Sequence, residues 1–128
     1  NNPRHRAQAL WLLARLSNGD SYLKAALADS DENIRITGIR TARYLNKNII
    51  TIIKNVVNDA SPQVRREAAI ALRGNKSAEA PALWAQLAAQ HDGKDRWYLE
   101  ALGIGAQGNE DAYFAAWQKQ VGTNWNTP

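Results

Sequence analysis

The residues with most scope for chemistry in this chain are arginines that return at a regular interval. Asp29-Ser30-Asp31-Glu32-Asn33-Ile34-Arg35 is echoed by Asp59-Ala60-Ser61-Pro62-Gln63-Val64-Arg65, 30 residues later. A looser third copy runs from Asp92 to Arg96. A guanidinium fork binds carboxylate, phosphate or carbonyl oxygen through two parallel hydrogen bonds, so a row of such forks could hold an anionic ligand. The same geometry serves architecture. An Arg one turn into a helix can reach the loop Asp, or the backbone carbonyls, of an adjacent copy. Asp29, Arg35, Asp59, Arg65, Asp92 and Arg96 are therefore expected to form a structural ladder between repeats. A second set, Arg40, Arg43, Arg66 and Arg73, falls away from the apolar stripes and is the candidate interaction surface. Trp97, Tyr98 and Trp125 join it, because exposed aromatics beside Arg are efficient contact residues.

Catalytic constellations are thin. His5 stands between Arg4 and Arg6, and His91 sits in a turn, neither with a second His at ligand spacing. Carboxylates cluster at helix starts, where capping explains them. Asp92-Gly93-Lys94-Asp95 lacks the further oxygen ligands of a calcium loop. The chain has no Cys, which excludes disulfides, thiolate metal sites and thiol nucleophiles within it. No catalytic, cofactor-binding or metal-binding residue is assigned, and the segment is expected not to be an enzyme. Asn75-Lys76-Ser77 fits the glycosylation sequon, a short pattern that also arises by chance.

The elements that would position these residues follow from hydrophobic period. Residues 4–16 carry Ala9, Leu12, Leu13 and Leu16 on one stripe, and Asn18-Gly19-Asp20 then breaks it. Leu23, Ala26 and Leu27 mark a short helix. Asp31 is a plausible N-cap for the next, which turns Ile34, Gly38, Ala42 and Leu45 inward. Ile49, Ile52, Ile53, Val56 and Val57 keep helical spacing despite their β-branching. Ser61-Pro62 starts a helix that stops near Gly74. Leu83, Trp84, Leu87 and Ala88 form another inward face. In the third copy Arg96 takes the place of Arg35 and Arg65, Leu99 and Leu102 match Ala68 and Ala71, and glycines 103, 105 and 108 make the helix short or irregular. Asn109 caps a last helix bearing Tyr113, Phe114, Trp117 and Val121. Trp11, Trp84 and Trp117 are expected in the core.

The fold expected is all-α: a superhelix of about seven helices, three full antiparallel pairs and a leading half repeat. Residues 1–121 form one domain and 122–128 an extended tail. Such stacks bury a continuous core and present surface, so a scaffold is expected before an enzyme. Composition agrees, with 45% apolar residues and no run long enough to span a membrane. The absence of Met, including at position 1, suggests an excised or processed segment. Residues 1–73 carry 12 Lys/Arg against 6 Asp/Glu, and residues 74–128 carry 4 against 6. The basic half could meet nucleic acid or an anionic partner, with solvated helix faces the blander reading.

Asp-x-Ser-Pro-x-Val-Arg-x-x-Ala-x-x-Ala-Leu at 59–72 resembles the HEAT-repeat (armadillo-like) family in its bacterial short-helix form. A narrower likeness lies in His91-Asp92-Gly93-Lys94-Asp95-Arg96-Trp97-Tyr98-Leu99-Glu100-Ala101-Leu102-Gly103-Ile104-Gly105. This stretch is similar to the middle region of bacterial membrane-bound dehydrogenases with a PVC-type haem-binding domain. Ala115-Ala116-Trp117, Trp125-Asn126-Thr127-Pro128 and Ala9-Leu10-Trp11 look similar to the same proteins. The resemblance implies a non-catalytic scaffold in a larger exported oxidoreductase, between a propeller-like dehydrogenase domain and a cytochrome-like one. It implies a periplasmic or extracytoplasmic location, and partners that are other domains of that chain or a separate protein. Cys-x-x-Cys-His is absent, so no haem or other cofactor is assigned here. Alternatives are a nucleic-acid-binding domain with a basic concave face, the less favoured partner class, and a cytosolic protein–protein adaptor.

Overall fold

The computed structural model describes residues 3–13, 19–45, 47–90 and 94–121. Every regular element among them is an α-helix. In chain order these are α1 (Pro3–Leu13), α2 (Gly19–Leu27), α3 (Glu32–Tyr44), α4 (Ile49–Val56), α5 (Pro62–Ala71), α6 (Ala80–Ala89), α7 (Arg96–Ala106) and α8 (Glu110–Val121). The protein is all-α, with eight described helices where the expected total was about seven. Each segment marked by hydrophobic period is a helix, the last one after Asn109 included, so α8 stands beyond the half repeat and three pairs. The tail with Trp125, the turn holding His91 and Asp92, and Leu16 lie outside the described residues.

The helix starts follow capping chemistry. The Asp31 carboxylate accepts the Asn33 amide, Ser61 Oγ accepts that of Val64 with Pro62 following, and the Asp95 carboxylate accepts that of Tyr98. Each bond satisfies a donor that the first turn leaves open. At the other end of α5, Gly74 adopts φ +74°, a left-handed conformation that stops the helix. Four Ile and one Val make α4 helical despite their strand preference, because Ile50, Ile53 and Val56 are buried against neighbouring helices.

The helices pack in two layers. One is built from the contacts α1–α3, α3–α5 and α5–α7, the other from α2–α4, α4–α6 and α6–α8, and each helix from α1 to α7 also touches its chain neighbour. The main core runs between the layers, through Ile39, Ile53, Val64, Ala68, Leu72 and Leu87. A smaller cluster joins Leu10, Leu23, Ala26, Ile34 and Ala42 at the α1 end.

Three expectations change. Among the described side chains of α1, Leu10 is buried, whereas Ala9 and Leu12 are exposed. Apolar residues surround that helix on several sides, so period alone does not choose the face that meets α2 and α3. Gly19, expected within the break between two helices, begins α2 and is buried there. The largest change is in α7, which is regular over 11 residues and keeps the register of α3 and α5. Counted from the N-caps Asp31, Ser61 and Asp95, the buried positions coincide: Gly38, Ala68 and Leu102, then Thr41, Ala71 and Gly105, then Ala42, Leu72 and Ala106. Leu102 therefore matches Ala68, and Leu99 matches Arg65.

Gly105 shows why glycine suits α7. A Cβ there would sit 2.1 Å from the Ala69 carbonyl oxygen, so the bare backbone lets α7 close on α5. At Gly103 an added Cβ would meet nothing within 4 Å. Gly105→Ala is expected to destabilise by about 1–3 kcal/mol, because backbone must move. Gly103→Ala is expected to be neutral or to stabilise by up to about 1 kcal/mol through helix propensity. Urea unfolding of the two variants, whose chemistry is identical, checks the pair.

Candidate functional site

The ladder exists in the first two copies. Arg35 Nε and Nη2 donate to the two Asp59 carboxylate oxygens at 2.8 and 3.0 Å, and Nη1 donates to the Asp29 carbonyl at 2.8 Å. Arg65 repeats the local half of this pattern, with Nη1 donating to the Asp59 carbonyl at 2.6 Å. Asp29 and Asp59 each also accept, through Oδ1, the backbone amide two residues on. Ser61 Oγ donates across the same junction to the Glu32 carboxylate. Asp29, Arg35, Asp59 and Arg65 thus hold the loops of adjacent copies together.

The ladder does not continue to Arg96. Its side chain is 85% exposed, and among the described residues its ion pair is with its helical neighbour Glu100, at 3.5 Å. The register explains this. Arg96 is the first residue of α7, while Arg35 and Arg65 lie one turn inside their helices. Tyr98 takes over the junction. It was expected on the contact surface, yet it is 1% exposed. Its hydroxyl donates to the Leu87 carbonyl at 2.6 Å and accepts from Arg65 Nε at 3.3 Å, and the Arg65 guanidinium lies 5.5 Å from the ring centroid. Its place three residues after the N-cap, where α3 and α5 have Ile34 and Val64, directs it inward. Trp84 and Tyr113 extend this mode. Trp84 Nε1 donates to the Leu102 carbonyl at 2.9 Å and the Tyr113 hydroxyl to the Leu72 carbonyl at 3.2 Å. Trp84 is buried and Trp117 half-buried; the Trp11 side chain lies outside the described residues.

The second arginine set divides. Arg40 binds the Glu67 carboxylate at 2.9 Å and Arg43 approaches its other oxygen at 3.8 Å. Arg66 stands 3.8 Å from Asp95. Arg73 is exposed at a separate shallow depression shared with Arg43 and Lys47. Glu67, buried within α5, was not singled out from sequence. Its signal is its place six residues after the N-cap, where α7 has the buried Ala101 and most of the surrounding face is polar.

Arg40, Arg66 and Trp97 come together in a groove of about 880 Å³ along α3, α5 and α7. Its apolar part is Ile36, Ile70, Ala101 and Ile104, and Trp97 stands at it 67% exposed. The three isoleucines lie beside the buried stripes and not on them, so hydrophobic period alone does not mark them. Among the described residues no group of three or more His, Cys, Asp or Glu is placed to hold a metal ion. Nor is any described helix long and apolar enough to cross a membrane.

The fold and groove define an all-α protein in which α3, α5 and α7 share one register. Comparison with protein-family models, curated proteins and solved structures finds no match.

Two predictions concern the junctions. Asp59→Ala leaves Arg35 without its carboxylate at a site where both side chains are at most 16% exposed, and is expected to cost about 2–4 kcal/mol in urea unfolding. Lys54→Ala, which breaks the exposed pair with Glu79, is expected to cost under about 1 kcal/mol. Burial pushes the Tyr98 phenol above its ordinary value of 10.0, against the opposing hydrogen bond from Arg65, and burial likewise raises Tyr113. The folded state then holds these protons more tightly than the unfolded chain. Their stabilisation is complete below pH 10 and is lost as pH rises through the raised values. Stability measured by urea unfolding across this range should fall more gently in Tyr98→Phe than in the parent sequence.

Proposed function

We propose that this chain is a non-catalytic helical-repeat scaffold that presents its α3–α5–α7 groove to a protein partner. One observation carries the reading. The groove combines an exposed Trp with an apolar strip and two arginines, the residue types that dominate binding energy at protein interfaces. Following the HEAT-type resemblance of residues 59–72, the stack is a superhelix, and following that of residues 91–105 it belongs to a larger exported oxidoreductase. There it would hold flanking dehydrogenase and haem domains in a fixed relation, with the partner surface supplied by one of them.

The nucleic-acid alternative is less favoured because Arg40, Arg43 and Arg66 lie near carboxylates of the protein. Contacting phosphate would mean giving up those pairs. A duplex DNA titration at two salt concentrations is expected to show no salt-sensitive binding.

The pure chain is expected to unfold cooperatively and to bind neither haem nor quinone stoichiometrically. Peptides selected from a displayed library against the groove should lose about 2 kcal/mol of affinity, roughly 30-fold, with Trp97→Ala. Stoichiometric haem or quinone capture, or selected peptides indifferent to Trp97, would sink the reading.

A further inference from the structure

The ladder joins unlike charges across adjacent copies, but one row of the same register sets like charges together. Twelve residues after the N-caps Asp31 and Ser61 stand Arg43 and Arg73. Both are exposed at neighbouring helix ends, Arg43 in the last turn of α3 and Arg73 just past the α5 C-cap Leu72. Lys47, on the connection to α4, joins them around a depression of about 290 Å³. Ile49 and Ala71 give it an apolar part and Asn75 a polar one, and none of the described residues lining it is acidic.

The nearby carboxylates do not cancel this charge. Glu67 lies 3.8 Å from Arg43 but 2.9 Å from Arg40, its closer partner. Asp20, which pairs with Lys47 at 3.0 Å, is 84% exposed, so water screens that pair. Arg73 makes no ion pair or side-chain hydrogen bond among the described residues. Asn75 Oδ1 already accepts the Ser77 amide, which leaves the Nδ2 group to donate. A cation at a helix C-terminus answers the macrodipole, and one for each of two helix ends is enough. Lys47 is the third.

We propose that this depression binds a phosphate dianion, either the free ion or the terminal group of a phosphate monoester. Like charges gathered in one recess repel each other. An anion with two charges and several acceptor oxygens relieves that repulsion while it engages the guanidinium forks. A nucleic-acid phosphodiester carries one charge and is tethered on both sides, so the recess favours a terminal phosphate over a duplex backbone. The site lies apart from the groove centred on Trp97 and stands independently of the proposed function.

Titrations of the full chain with inorganic phosphate and with O-phosphoserine, at constant ionic strength and followed by amide NMR shifts, test this. Saturable shifts at Arg43, Lys47 and Arg73 are expected, with Kd on the order of 1 mM. Response to both probes assigns the phosphate group itself, and response to one assigns the free ion or the ester. Arg73→Ala, at an exposed position, should weaken binding about tenfold with unchanged helical circular dichroism. Lys119→Ala removes the same charge from α8, away from the depression, and should leave affinity within about twofold. No saturable shift by about 100 mM of either probe overturns the proposal. Equal binding of acetate, or equal loss with Arg73→Ala and Lys119→Ala, overturns it as well, since either would mark a general attraction of anions to a cationic chain.

Discussion

Asp59 is the joint on which the rest of the stack depends. A pair of short helices cannot bury enough apolar surface alone, so each pair in this architecture relies on the next. Contact between pairs is non-directional where it is apolar and leaves the relative setting loose. Asp59 removes that freedom. Its carboxylate receives both arms of Arg35 from the preceding copy and the Ser61 amide of its own, and its carbonyl receives Arg65. One residue thereby positions two helix starts and the arginines beside them.

The bonding material changes along the chain. Between the first copies it is ionic, an Arg fork on a carboxylate at the loop. Toward the C-terminal end it is aromatic, with Tyr98, Trp84 and Tyr113 carrying polar tips to buried carbonyls while their rings fill the core. A buried aromatic supplies apolar area and one hydrogen bond together, without the desolvation cost of an ion pair. The exchange also changes what is left on the surface. With Tyr98 inward at the junction, Arg96 projects into solvent beside Glu100, and the neighbouring Trp97 stands at the groove.

The groove's chemistry follows from this division of labour. Glu67, buried and flanked by Arg40 and Arg43, keeps two cations close to α5, so the strip is neither strongly basic nor purely apolar. Such a surface suits a partner that offers apolar side chains at its centre and polar groups at its rim. A polyanion would need more cations without carboxylate neighbours than this strip offers.

The linear pattern was enough to establish that the chain is all-α, where most helices begin, and that Arg35 and Arg65 serve the junctions. Those properties rest on short-range rules: the 3.6-residue period, the capping side chain, proline at the first turn. What it did not establish was the setting of α7. Arg96 and Leu99 matched the earlier copies by residue type, but the helix takes its phase from its cap at Asp95 and from Gly105 against Ala69. A shift of a few residues turns a helix by a large fraction of a circle, moving Tyr98 into the core and Leu99 to the surface. The same holds for the groove, where Ile36, Ile70 and Ile104 come from three helices distant in sequence. Local spacing specifies which side of a helix is apolar; only packing against neighbours decides which part of that side stays open.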